Sequence, residues 1–228
     1  MVHKTEKLSR GWQKFVDNRF NFFLGVIIFT LCASPFFPAY GNPSGFPVTV
    51  FVFTIAAILI LRTLIPSTER FLLMAAVYAG VFLLYIFLHS FGFPWQGILD
   101  IVVQSFHGVL IALFIWELLK LFLKTKQVTG DSIKGAICIY FLLGILWGFL
   151  YRMVFFLDPN SFIFNTPGNA NLFYFSFTTL TTLGFGDIVP AGRVTGFMTV
   201  FEAVTGQLFF GIFIARMMGL YIVKEMSG

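Results

Sequence analysis

Apolar positions along this chain come in long blocks rather than in the short alternations of a sheet. Six mostly apolar runs cover about 20–38, 48–65, 71–91, 98–119, 134–156 and 194–220. A helix needs about 20 apolar residues to cross the hydrocarbon core of a bilayer, so the pattern predicts six membrane-spanning helices. The short breaks GNPSGFP, RTLIPSTER, GFPWQG and KTKQVTGD carry Gly, Pro, Asn and charge, as turns between helices require. Only the break from Leu157 to Arg193 is long. A cleaved signal peptide at the first run is disfavoured by its length and by the five runs that follow it.

Composition agrees with this pattern. Of the 228 residues, 58% are hydrophobic and 11% charged, and 33 are Phe. Soluble domains carry roughly a quarter charged residues, so the expected class is an all-α integral membrane protein. The net charge of +5 raises the question of a nucleic-acid partner. Its distribution answers otherwise, because 13 of the 15 basic residues fall in the leader, the second and fourth breaks and the tail. Only Arg152 and Arg193 fall on the other side. Lys and Arg accumulate in cytoplasmic loops, so both termini are expected in the cytoplasm and no nucleic-acid partner is expected. Cys32 and Cys138 lie singly in apolar runs and form no metal-ligand or disulfide pattern.

Residues 1–19 form a leader in which Leu8, Trp12, Phe15 and Val16, continued by Phe20, recur at helical spacing between basic residues. That pattern reads as an amphipathic helix on the inner leaflet, the alternative being a disordered basic tail. Trp12 and Trp116 near the inner boundary and Trp95 near the outer one read as interfacial anchors. Residues 20–124 form a four-helix membrane domain, and 133–223 a second domain built around the long break.

The long break begins with the turn-rich DPNSFIFNTPGNAN and continues as NLFYFSFTTLTT, too short to span and ending in threonines. Backbone exposed at membrane depth is tolerated where protein buries it or water wets it. The segment therefore reads as a re-entrant half-helix followed by a non-helical return. In Thr182-Leu183-Gly184-Phe185-Gly186, glycines alternate with larger residues. For successive carbonyls of an extended chain to point one way, alternate residues must take angles that L-residues resist and glycine permits. Columns of such oxygens from several chains can replace the water shell of a cation; one chain cannot enclose an ion alone. The half-helix turns the negative end of its dipole inward, toward a central cavity.

The string YFSFTTLTTLGFGDIVP resembles the pore loop and selectivity filter of potassium channels in the tetrameric pore-loop cation channel superfamily, closest to small prokaryotic and two-pore-domain types. The likeness covers roughly residues 134–220. Relative to the family's TVGYG, Leu183 stands for Val and Phe185 for Tyr. The resemblance implies a homotetramer in a lipid bilayer, in the cytoplasmic membrane of a prokaryote. It implies K⁺ as the permeant ion, with no organic cofactor. The carbonyls of Thr182, Leu183, Gly184 and Phe185 and the Thr182 hydroxyl would coordinate K⁺. Gly186 and Asp187 would shape the outer mouth, Asp187 bonding behind the filter, and Tyr174 and Phe175 would form an aromatic cuff. Losing the Tyr hydroxyl at Phe185 removes one bond behind the filter.

In the last run, Gly206 stands where family members bend their inner helix, with Gly211 a second candidate; close packing of small residues accounts for either equally well. If Gly206 is at cavity level, Gln207, Phe210 and Ile214 line the vestibule at i, i+3, i+7. Glu202 lies deep in the same helix and needs a partner. Its two readings are a structural hydrogen bond, to a neighbouring helix or to the re-entrant pore helix, and a direct attraction of ions.

Six spans with the loop between the last two follow the voltage-gated plan. The fourth run, however, has basic residues only at its end, Lys120 and Lys124, so weak or absent voltage dependence is expected. Asp100, Gln104 and His107 make a polar stripe on it, and His89 ends the third. They serve either interhelical bonds or pH and ligand sensing. The sequence contains no nucleotide-binding motif, so regulation is expected from another subunit, a lipid or the core. No enzymatic constellation is present. The competing readings are a nonselective cation channel and a channel-like subunit of a larger transport complex.

Overall fold

The structure, a computed structural model, describes residues 19–33, 96–124, 129–165 and 171–226, with scattered positions between 69 and 87. The leader positions Leu8, Trp12, Phe15 and Val16, the run 48–65, His89 and Trp95 lie outside the described residues, as do the side chains of Asp100 and Gln104. The chain divides into two units, Met1–Ala75 and Ala76–Gly228. The first contributes helix α1, Arg19–Ala33. Described positions between 69 and 87 are helical.

The second unit contains α2 (Gln96–Lys124), α3 (Gly130–Leu157), a short α4 (Leu172–Leu180) and α5 (Arg193–Met226). Among the described residues, three stretches are long and apolar enough to cross a membrane: Ile101–Lys124, Gly130–Leu157 and Arg193–Ile222. The helices α2, α3 and α5 that contain them each run past the apolar block that predicted them. α3 begins four residues before its block because Thr129 caps it, accepting a bond from the Ser132 amide at 3.2 Å, with Asp131 in the first turn. An N-cap hydroxyl satisfies amides that have no partner within the helix.

Between α3 and α4 the chain forms a feature that the apolar pattern does not announce. Asp158 ends α3 and accepts the Asn160 amide at 3.0 Å, turning the chain through Pro159–Ser161. Strand β1 (Phe162–Phe164) then pairs antiparallel with β2 (Ile188–Pro190), Ile163 opposite Val189. A three-residue strand is too short to show a period of two, so only the pairing reveals it. Below this ribbon, Tyr151, Phe162, Leu172, Phe175 and Ile188 form a buried cluster. Its rings meet edge to face, Tyr151 to Phe175 with centroids 5.0 Å apart and Phe162 to Phe175 at 5.4 Å.

α2 packs along α3 and meets α5 at its end. His107, buried, shares a 2.7 Å bond through Nδ1 with the Val103 carbonyl and stacks on Phe149 of α3. At the other end, Arg216 of α5 donates through Nη2 to the carbonyls of Phe122 (3.2 Å) and Leu123 (2.7 Å). Those carbonyls belong to the last turn of α2, the negative end of its dipole. Lys120 pairs with Glu117 at 2.6 Å.

Candidate ion-conduction site

α4 is nine residues long and every turn of it is specified locally. Asn171 caps its start, Oδ1 accepting the amides of Phe173 (3.1 Å) and Tyr174 (3.2 Å). Its end closes in a Schellman motif. The Leu183 amide bonds the Thr178 carbonyl at 2.8 Å, and the Thr182 amide bonds Thr179 at 2.9 Å. This motif requires a left-handed residue at Thr182, where φ is 60°. Helices commonly place glycine there, because a side chain in that region costs about 1–2 kcal/mol. Here a threonine holds it.

Beyond Thr182, Gly184 (φ 55°) and Gly186 (φ 78°) are also left-handed, so positive φ falls on every second residue from 182 to 186. The glycine spacing accounts for two of these positions and the helix cap for the third. The amides of Thr182, Leu183 and Gly184 all turn back onto α4 carbonyls, the last at 3.2 Å from Thr178 O. No peptide bond among the described residues is cis. In a trans peptide the carbonyl of one residue opposes the amide of the next. Three successive carbonyls, Thr181, Thr182 and Leu183, therefore point away from α4. Residues Thr181 to Gly186 are all exposed in the single chain.

The far end of the loop is held from the ribbon. The Asn165 amide bonds the Asp187 carbonyl at 2.8 Å, and its Nδ2 donates to the Gly186 carbonyl at 2.8 Å. Asp187 Oδ1 accepts the Ile188 amide at 3.1 Å. The Tyr174 hydroxyl faces the Asp187 carboxylate, and its ring stacks on Phe185, centroids 6.3 Å apart and 4° from parallel. Phe175 faces the other way, into the buried cluster with Tyr151.

Three glycines form the seat beneath α4. Added Cβ atoms at Gly148 and Gly144 of α3 would run into the rings of Phe173 and Phe177 respectively. At Gly206 of α5 an added Cβ would strike the carbonyl oxygen of Leu180. The Tyr140 hydroxyl also donates to that oxygen, at 3.3 Å. Gly211 has open space around it. Gln207, Phe210 and Ile214 are all exposed in the single chain, and Phe210 also sets its ring edge-on to Tyr140 at 4.9 Å.

Glu202 is fully buried. Tyr151 of α3 donates to its Oε2 at 2.6 Å. Ser176 Oγ of α4 lies 2.5 Å from its Oε1 and 2.7 Å from the Gly144 carbonyl. The sequence signalled that Glu202 needs a partner but not which one. Ser176, Tyr151, Asn165, Gly144 and Gly148 carry no stronger local signal than a polar or small residue in an apolar or turn-rich context.

The geometry thus joins a capped short helix, a loop of alternating handedness and two long apolar helices. Residues 136–222 match the model of the ion channel family. The match spans most of α3, the whole loop and most of α5, and it supports passive ion conduction by an integral membrane protein. No curated protein and no solved structure matches the chain.

Proposed function

We propose that this protein is a potassium-selective channel in which four copies set their Thr182–Phe185 segments around one axis. The observation that carries this reading is the alternation of left-handed residues at Thr182, Gly184 and Gly186. It lets neighbouring carbonyls share one direction. Four such columns, with the Thr182 hydroxyls at the inner end, replace the hydration shell of a dehydrated cation.

The side chains of this loop support the same reading. The Gly186 carbonyl is engaged by Asn165, so it belongs to the frame at the mouth, while Thr182 to Phe185 supply the column. Leu183 and Phe185 are about two-thirds exposed in the single chain (62% and 65%). Burying them takes neighbouring copies, and a closed ring of four provides them around the axis. Phe185, without a hydroxyl, is held by stacking on Tyr174.

Flux into liposomes with K⁺ or Na⁺ as the sole permeant cation tests the proposal. Rapid K⁺ flux with little Na⁺ flux is expected. Equal rates favour a nonselective cation channel, and no flux favours a channel-like subunit of a transport complex. In α2 the basic residues are Lys120, paired to Glu117, and Lys124, both in the last turns. Little charge crosses the membrane field, so conductance in planar bilayers is expected to vary weakly with voltage.

A further inference from the structure

A carboxylate inside a membrane-spanning helix is costly unless something uses it. Glu202 is 0% exposed, and among the described residues its partners are two hydroxyls on two different helices rather than a cation. Ser176 stands in α4, six residues before Thr182. Tyr151 stands in α3 with its ring against Phe175 of α4 and against Phe162 of β1, the strand paired to β2 beyond the loop. One side chain of α5 therefore bonds directly to the element before the loop and, through Tyr151, reaches the ribbon after it.

The register of the packing makes this contact specific. Glu202 and Gly206 are one turn apart on α5, and Ser176 and Leu180 are one turn apart on α4. Glu202 meets Ser176 by hydrogen bond, and Gly206 meets Leu180 by backbone contact with no room for a Cβ. Apolar side chains would fill such a space as stably as a buried polar network, and often more so. What hydroxyl–carboxylate bonds add is direction, since they hold only within a few tenths of an ångström and a narrow range of angles.

We propose that Glu202 is the positioning residue through which α5 sets the place of α4, and with it the alignment of the Thr182–Phe185 carbonyls. The proposal rests on the potassium-channel reading. A shift of α5 reaches the filter through Ser176 and Tyr151, so ion discrimination depends on a residue that never touches the ion.

The test compares wild type with E202A, E202Q, S176A and Y151F in liposomes, each first checked for assembly by size in detergent. The readouts are the ratio of K⁺ to Na⁺ flux and the rise in thermal midpoint when K⁺ replaces Na⁺. A purely structural role lowers the midpoint equally in both salts; a positioning role shrinks the K⁺-specific rise. E202A is expected to cut the flux ratio by about tenfold, the scale of one hydrogen bond to a charged group. S176A is expected to do the same, with little further loss in the double variant, because both remove one coupling. E202Q, which can still accept from one hydroxyl, is expected to fall between. If E202A does not assemble, S176A and Y151F carry the same comparison. Assembled variants that keep the wild-type ratio and the K⁺-specific rise overturn the proposal alone. A wild-type protein that passes K⁺ and Na⁺ equally overturns the potassium reading and this inference with it.

Discussion

Gly206 of α5 lies against the carbonyl oxygen of Leu180 at the end of α4, so closely that a single methyl group would collide with it. The obstacle is backbone, which cannot swing aside as a side chain can. Gly206→Ala is expected to destabilise the assembled protein by about 1–3 kcal/mol, the usual cost of overpacking. Gly211→Ala, with open space in the single chain, is expected to gain up to about 1 kcal/mol from helix propensity. Thermal unfolding in detergent measures both. A loss at Gly211 as large as that at Gly206 would mean that a neighbouring subunit fills the space.

Gly148 and Phe173 form a notch and a knob. An added Cβ at Gly148 would fall within 3.0 Å of three atoms of the Phe173 ring. Gly148→Ala should therefore destabilise by about 1–3 kcal/mol. Phe173→Leu in the same chain should recover part of that loss, the two changes being non-additive because the residues touch. A double variant no more stable than the sum of the single ones would refute the notch.

Thr182 holds a left-handed conformation at the helix cap. Thr182→Gly removes a strain of about 1–2 kcal/mol and is expected to raise the thermal midpoint. It also removes the hydroxyl proposed to face the ion, so K⁺ flux is expected to fall. Strain retained at a working site produces this opposition of stability and activity. A variant that gains stability and keeps full flux would show that the hydroxyl has no part in conduction.

Asn165 bonds Gly186 through its side chain and Asp187 through its backbone. Asn165→Ala keeps the second bond and loses the first, with a stability cost of about 1 kcal/mol. Its larger effect is expected in flux, as a lower ratio of K⁺ to Na⁺. Asn165→Asp places a carboxylate against a carbonyl oxygen and should lower the ratio further. Parallel flux measurements on the two variants check the order; equal ratios in both and in wild type would remove Asn165 from the frame.

The amino-acid sequence by itself determined where the long helices of the second unit lie, because a bilayer-length apolar block is a local property. It also marked Gly184 and Gly186 as backbone-permissive, because glycine's freedom belongs to the residue itself. The run 48–65 and leader residues 1–18 lie outside the described residues, so their reading stands on pattern alone. The structure adds that Thr182 extends the alternation, its angle set by a local helix cap made with Thr178 and Thr179 that no glycine marks. It also decided which glycines carry contacts. Gly144, Gly148, Gly206 and Gly211 look alike in apolar runs, and the rotation and offset of the helices separate the first three from the fourth. The same holds for Glu202. Its need for partners follows from charge in an apolar helix, but Ser176 and Tyr151 lie 26 and 51 residues away. No local pattern encodes a pairing at that distance, because it forms only when three helices close on one another.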